Sequence, residues 1–414
     1  MKARTDTVRL RRRDALRGRA VLSLYAVLNG GLRLARFLLW PRARPLHPRK
    51  ICVYRVGNVG DIVCSLPALA AIHREYPAAA LTLLTTSGRK GLPGAKDVFQ
   101  DVDWLDRIFE YYPAEISGPR AALSFISQLR SQRFDIFIEL PNDMAAIPTL
   151  FRNMLFARLT GAKWAAGWTV NTLRVALQQQ SEFIEFPNEV VRLLQLVERI
   201  GISTGGIEFT LPIAEQRVRR TASQLAAFGL PESAPIVALG HGAKRPGNRW
   251  PAARFAEVGR EFTLRGYYVL ILGTEAEREG AEAIREQVGD RCINLAGTTG
   301  VLEAAAAIRF CRLLICNDSG LQHLASAVGT PCVAIFSYWQ LRGKWWPNHP
   351  KSIVLQKAVP CHTCYLHACP VGDRCVIETS PHDVISAACY ILDESTKPIQ
   401  REEPKFASFN IPLP

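Results

Sequence analysis

Three short turns hold most of the side chains in this sequence that could do chemistry. Asn317-Asp318-Ser319-Gly320-Leu321-Gln322-His323-Leu324-Ala325 follows the apolar run Leu313-Leu314-Ile315-Cys316 and precedes another, Pro331-Cys332-Val333-Ala334-Ile335-Phe336. That order reads strand, polar turn, helix, strand, and the carboxyl end of a parallel strand is where open α/β sheets take up ligands. The N–H groups at the start of the helix and the positive end of its dipole suit a phosphate. Ser319 and Gly320 would present such N–H groups. Asp318 has the wrong sign for a phosphate ligand, so it is expected to orient those N–H groups or to accept hydrogen bonds from sugar hydroxyls. His323 lies one helical turn after Ser319 and is expected on the same face. For a lone helical histidine, packing and chemistry both stand as readings.

The other two turns open two successive strand–helix units. His241-Gly242-Ala243-Lys244-Arg245-Pro246-Gly247-Asn248-Arg249-Trp250-Pro251 puts three cations between a strand end and a helix start. It is either a solvated loop or, shaped by its glycines, prolines and Trp250, a diphosphate holder, with arginine giving forked hydrogen bonds and lysine a point charge. In Gly57-Asn58-Val59-Gly60-Asp61 the two glycines permit the φ > 0 backbone of a close phosphate-type turn. No Gly-Lys-Ser/Thr follows and no G-x-G-x-x-G is present, so this is neither a P-loop nor a dinucleotide turn. A carboxylate, Asp61, stands at the helix start instead. It is either an N-cap or a general base aimed across a cleft at an acceptor hydroxyl, kept ionised by the helix N-terminus.

The elements that must position these turns form two series. Strands are expected at 50–56, 81–85, 105–111 and 134–140, with helices at 62–76, 119–132, 143–160 and 188–201. A second series has strands at 236–240, 267–272, 292–295, 313–316 and 331–336, with helices at 251–265, 275–288, 301–309 and 381–392. Alternation of this kind means parallel sheets covered on both faces. The expected fold is α/β, with two Rossmann-like parallel-sheet domains facing across a cleft. Its divisions are a basic N-terminal segment (1–49), a first domain (50–215), a second (216–394) and a loose tail (395–414).

At 414 residues the chain is long enough for such domains, and its 48% hydrophobic and 21% charged content is ordinary for a globular protein. The net charge of +14 is unevenly spread. Residues 1–50 hold twelve Arg and two Lys against Asp6 and Asp14, a net of +12, which leaves +2 for the rest. A nearly neutral body argues against nucleic acid as the partner. The apolar stretch at 20–40 is interrupted by Asn29, Gly30, Gly31, Arg33 and Arg36, too broken to span a bilayer. A basic helix with Leu, Phe and Trp anchors reads as lying on an anionic membrane surface through residues 1–45. The rivals are a helix merely docked on the body and a signal peptide, for which no good cleavage site is present.

Of eleven cysteines, seven are scattered, and Cys52, Cys311, Cys316 and Cys332 fall in or beside apolar elements, as small buried hydrophobes do. This is no secreted disulfide framework, and a reducing compartment is expected. Cys361, Cys364, Cys369 and Cys375 are clustered. Four thiolates at this spacing could close a structural zinc site; a disulfide pair and free thiols remain alternatives.

Taken together, the motifs resemble glycosyltransferase family 9, the ADP-heptose:lipopolysaccharide heptosyltransferases. They are Arg55-Val56-Gly57-Asn58-Val59-Gly60-Asp61 with Ser65-Leu66-Pro67-Ala68-Leu69, Gly242-Ala243-Lys244 with Arg249-Trp250-Pro251, and Asn317-Asp318-Ser319-Gly320 with His323-Leu324-Ala325. The resemblance spans about residues 50–390. It implies a GT-B architecture, the acceptor on the first domain and the nucleotide sugar on the second. It also implies inverting transfer without a catalytic metal or other cofactor, with ADP-heptose as donor and a lipid-linked glycan as acceptor at the inner face of the cytoplasmic membrane. Asp61 matches the family's proposed base, and Asp318, Ser319, Gly320 and His323 its donor loop. Many members have Lys-Arg-Trp-Pro where this chain has Asn248-Arg249-Trp250-Pro251, so Asn248 replaces a donor-phosphate lysine, and Lys244 or Arg249 would supply the charge. Glu277, after the next strand, matches an acidic residue that contacts the nucleoside. The remaining alternatives are the same fold with another nucleotide sugar and a zinc-knuckle nucleic-acid binder.

Overall fold

The computed structural model of the chain describes residues 12–142, 145–169, 187–340, 342–357, 359, 364, 366 and 369–394. It contains two β-sheets. In the first, β1 (Lys50–Val56), β2 (Ala80–Thr86), β3 (Arg107–Glu110), β4 (Ile136–Glu139) and β5 (Trp164–Ala166) lie in the order β3-β2-β1-β4-β5. In the second, β6 (Ile236–Gly240), β7 (Tyr268–Ile271), β8 (Cys292–Asn294), β9 (Leu313–Asn317), β10 (Cys332–Ile335) and β11 (Ile353–Leu355) lie in the order β11-β10-β9-β6-β7-β8. Every pairing is parallel.

The side-chain pattern explains the layering. β1 sends Ile51 and Val53 to one face and Cys52 and Tyr54 to the other, all buried. β6 does the same with Ile236 and Ala238 against Val237 and Leu239. A strand apolar on both faces needs cover on both, which crossover helices provide. The inner faces of the two sheets contribute to one continuous apolar cluster. Helices Ala252–Leu264, Arg278–Val288 and Pro381–Glu394 cover the outer face of the second sheet. Helices Arg12–Leu39, Pro119–Ser131 and Ile147–Leu159 cover that of the first.

Three differences from the sequence reading have physical causes. The edge strands β5 and β11 are three residues each, too short to show a period. The helix expected at 62–76 is two, Val59–Val63 and Leu66–Glu75. The break falls where Ser65 Oγ donates to the Ile62 carbonyl at 2.6 Å and Pro67 brings no N–H. The joining stretch near 205–232 contains a helix, Glu215–Ala227. Its Arg217 pairs with Asp101 of the first series at 3.0 Å and with Glu303 of the second.

The N-terminal helix, Arg12–Leu39, has two different faces. On one, Leu32 and Trp40 are buried, Trp40 stacks on Trp168 at 5.4 Å, and Arg36 Nε donates to the Ala165 carbonyl at 3.0 Å. On the other, Leu24, Val27, Leu34, Phe37 and Leu38 are exposed. The docked reading therefore describes one side of this helix and leaves an apolar stripe on the other. Among the described residues no helix is long and apolar enough to cross a membrane. Residues 1–11 and the tail at 395–414 lie outside the described residues.

Candidate functional site

The carboxyl ends of β1, β6 and β9 carry the three turns, and the fold brings them to one seam between the two sheets' domains. Helix Val59–Val63 packs against helix Gly320–Ala327. Lys244 Nζ donates to Asn58 Oδ1 at 3.1 Å, and Cys64 Sγ lies 3.3 Å from His323 Nδ1. Both contacts join residues more than 180 positions apart.

The two glycines of the first turn are needed for close approach, not for positive φ, since neither is among the residues with φ above zero. A Cβ on Gly57 would stand 2.2 Å from Asp61 Cβ, and one on Gly60 would stand 2.9 Å from His323 Cδ2. The first glycine lets Asp61 fold back under the turn, and the second lets the other domain's helix come against it. Asp61 itself is not the N-cap. That position is Asn58, and Asp61, three residues on, accepts from the Asn58 N–H at 3.0 Å. Its side chain keeps 20% of its surface exposed, enough to meet a substrate, and Arg55 Nη2 is 3.6 Å from its other oxygen. Burial pushes this carboxyl above its usual range, against the pull of Arg55 and of the Asn58 N–H. The helix start was expected to keep it ionised, and burial acts in the other direction.

Behind Asp61 is a buried ion network that the sequence reading missed. Arg55, fully buried, donates through Nη1 to the carbonyls of Leu140 and Pro141 and through Nη2 to Glu189 Oε1 at 2.8 Å. Glu189 is also gripped by both Nε and Nη2 of Arg192 at 2.7 and 2.6 Å. Burial opposes its charge, but Arg192, Arg55 and Lys344 outweigh it and hold the carboxyl at about 2. Only Arg55 gave a signal in sequence, as a cation inside an otherwise apolar strand. Lys344, buried on the segment after β10, lies over the Trp345 ring at 4.8 Å, and its charge reaches Asp61, Glu189 and Asp318.

On the second domain, Asp318 is surrounded by side-chain amides. Asn248 Nδ2 donates to it at 3.0 Å, and Gln340 and Gln322 each at 3.2 Å. Among the described residues no bond runs from the backbone N–H groups of 319–321 to its carboxylate, and its hydrogen bonds come from side-chain amides. Burial pushes its carboxyl up to about 7, which the Gln340 and Gln322 amides counter only in part. Asn248 is buried and also accepts from Ser337 Oγ at 2.7 Å, so it is a strut between two segments. Asn317 performs a similar task, accepting from the Trp250 N–H at 3.0 Å and donating to the His241 carbonyl at 2.6 Å.

Ser319 stands at the N-cap position of helix Gly320–Ala327 without a side-chain capping bond, and its Oγ is buried without a partner. The first N–H groups of the helix beside it have no intrahelical acceptor. His323 shows the packing that was one of its two readings. It is 5% exposed and packs on Gly60, Cys64 and Trp345, which makes it a seam residue. Burial drives it to about 4, so it is neutral near pH 7. Lys244 reaches across the seam, whereas Arg249 Nε braces its own loop on the Ala243 carbonyl at 2.8 Å. Glu277 accepts from the N–H and Oγ1 of Thr274, and its carboxylate lies against Gly242, between the β6 and β7 turns. Cys364, Cys369 and Cys375 are half-buried, and Cys361 lies outside the described residues. Among the described residues no three His, Cys, Asp or Glu side chains form a group that could hold a metal ion.

Comparison with known proteins adds to this geometry. The family model described as glycosyltransferase family 9 (heptosyltransferase) matches residues 122–373. Lipopolysaccharide heptosyltransferase 2 of Escherichia coli K12 is 24% identical over 305 residues, covering 69% of this chain and 82% of that protein. Two solved structures are similar in fold. One is a family 9 glycosyl transferase from Veillonella parvula, with a TM-score of 0.68 and 21% identity over 85% of this chain and 100% of that one. The other is the E. coli ADP-heptose LPS heptosyltransferase II, with a TM-score of 0.61 and 22% identity over 84% of this chain and 100% of that one. The GT-B expectation agrees with these neighbours. The family match begins after Asp61, so the role of that residue rests on the motif and on its geometry.

Proposed function

The chain belongs to glycosyltransferase family 9 and is a glycosyltransferase, and on that premise we propose that it moves a heptosyl group from ADP-heptose to a hydroxyl of a lipopolysaccharide-core acceptor, with inversion. The observation that carries the reading is the meeting of Asp61 and the helix that follows Ser319 at one seam. In the proposed transfer the acceptor oxygen attacks the anomeric carbon in line with the bond to the departing phosphate. Asp61 takes the hydroxyl proton as the new C–O bond forms and the C–O bond to ADP breaks. Charge gathers on the diphosphate. The helix N-terminus at 319–321, the unpartnered Ser319 Oγ and Lys244 would stabilise it. Asp318, with its amide neighbours, would receive the donor sugar's hydroxyls, and Glu277 would lie toward the nucleoside.

Two names support this donor and acceptor: the E. coli relative is an LPS heptosyltransferase, and the structural neighbour is an ADP-heptose one. The test is a thermal-shift series with ADP-heptose, other ADP-sugars, UDP-sugars and ADP, followed by transfer to a heptose-deficient core acceptor. Stabilisation and product with ADP-heptose are expected; stabilisation by a UDP-sugar alone would replace this donor with another.

We further propose that the protein sits peripherally on the cytoplasmic face of the inner membrane. The exposed stripe Leu24, Val27, Leu34, Phe37 and Leu38 has Phe151 and Leu155 exposed on helix Ile147–Leu159, which packs beside it, and the basic segment at 1–50 supplies charge. An apolar face on an arginine-rich segment suits an anionic interface. Flotation with vesicles containing anionic lipid should carry the full chain upward, and Phe37→Glu with Leu38→Glu should leave it at the bottom. Equal flotation of both would remove this face from the reading.

A further inference from the structure

The base reading of Asp61 leaves unexplained why a buried glutamate stands behind it. Arg55 is fixed by the Leu140 and Pro141 carbonyls and gives its shortest charged bond, 2.8 Å, to Glu189. Its distance to Asp61 is 3.6 Å, beyond ordinary hydrogen-bond range. Asp61 therefore has one oxygen on the Asn58 N–H and the other only loosely attended. Glu189 is kept in place by Arg192, whose Nη2 is itself anchored on the Pro141 carbonyl at 2.7 Å. The Glu189 N–H donates to the Lys344 carbonyl at 2.8 Å, which links this network to the second domain.

We infer that Glu189 is a positioning residue for the transfer: it draws the Arg55 guanidinium toward itself, so that Asp61 is oriented by a cation without being captured by it. This rests on Asp61 acting as the base. A buried ion network is weak evidence of stability, and here its geometry leaves one carboxylate, the one at the seam, without a full salt bridge. Were Glu189 neutral, Arg55 would be free to close on Asp61 and hold it as a weak base.

The charges facing Asp61 give the inference a sign. From β1 the charge is Arg55. From helix Glu189–Arg199 it is Glu189, with Arg192 behind, and from the segment after β10 it is Lys344. From helix Gly320–Ala327 it is His323, neutral near pH 7, beside the un-ionised Cys64 thiol. Arg55 and Lys344 pull the Asp61 carboxyl down and Glu189 pushes it up.

The experiment is the pH profile of kcat/KM for the full-length protein, with donor Kd measured by calorimetry. Glu189→Gln should move the acid limb to lower pH by about one pH unit and cut the plateau rate roughly tenfold, the cost of a weaker base. Arg55→Met should move the limb to higher pH. Donor Kd should stay within about twofold in both, because neither residue touches the donor loop. Where Glu189→Gln does not fold, Glu189→Asp retracts the carboxylate by one methylene and should move the limb the same way by less. A limb that stays put, or moves in one direction in all variants, while Asp61→Asn is inactive would overturn the positioning role and leave the base reading standing. An active Asp61→Asn would overturn both.

Discussion

Asp61 and Asp318 stand on the two sides of one seam and are held by opposite means. Asp61 has charges around it, Arg55 at 3.6 Å with Glu189 and Lys344 beyond, and one backbone N–H. Asp318 has three neutral carboxamides, from Asn248, Gln322 and Gln340. Burial raises both carboxyls. A carboxylate set by charges keeps an oxygen open and can be tuned from a distance, which suits proton removal. One held by amides has its oxygens directed, while burial keeps its proton affinity near neutrality, which suits recognition of hydroxyls. The same residue type at two βα turns is thus prepared for two tasks by what its neighbours carry.

The largest way to break the comparison is Asp61→Asn. The amide keeps the size and can still accept from the Asn58 N–H, but it cannot take a proton. Transfer should fall by roughly a hundredfold to ten-thousandfold, while calorimetric ADP-heptose affinity changes little. Retained turnover would make Asp61 only the capping-box acid of its helix, and the contrast between the two carboxylates would lose its functional meaning.

How much of this was legible in sequence follows from range. The turns at 57–61, 241–251 and 317–325 were legible because glycines, charges and apolar runs lie within a few positions of one another. The sheets were legible from runs apolar on both faces, except for β5 and β11 at three residues each. Glu189 and Lys344 were not, because nothing local marks them; they join the site only when helix Glu189–Arg199 and the segment after β10 meet behind Asp61. His323 could not be decided for a related reason. Its spacing from Ser319 fixes a helix face but does not say that the other domain covers that face through Gly60 and Cys64. Asn248 was noticed as a missing lysine; that it is a strut to Asp318 and Ser337 is a tertiary fact.

The smallest and sharpest intervention is Asn248→Lys, which would give Asp318 the kind of neighbour Asp61 already has. Lysine can still donate to Asp318 but adds a charge, and it gives up the bond from Ser337 Oγ. A cation at this range favours the ionised carboxylate, so Asp318 should titrate below its present value of about 7. In the wild-type protein, ADP-heptose affinity should change through a midpoint near pH 7 as Asp318 gains its proton; in Asn248→Lys that midpoint should move to lower pH. Stability carries the same sign. A carboxyl whose folded pKa of about 7 exceeds the ordinary 3.8 loses stability as pH rises between those values. The lysine should relieve that loss, so the melting temperature of Asn248→Lys relative to wild type should improve from pH 5 to pH 8. Calorimetric titrations and melts across that range read both effects. A midpoint that stays near 7, or a melting difference that worsens with pH, would mean that the neighbour at position 248 does not tune the proton affinity of Asp318, and that the two carboxylates differ in position alone.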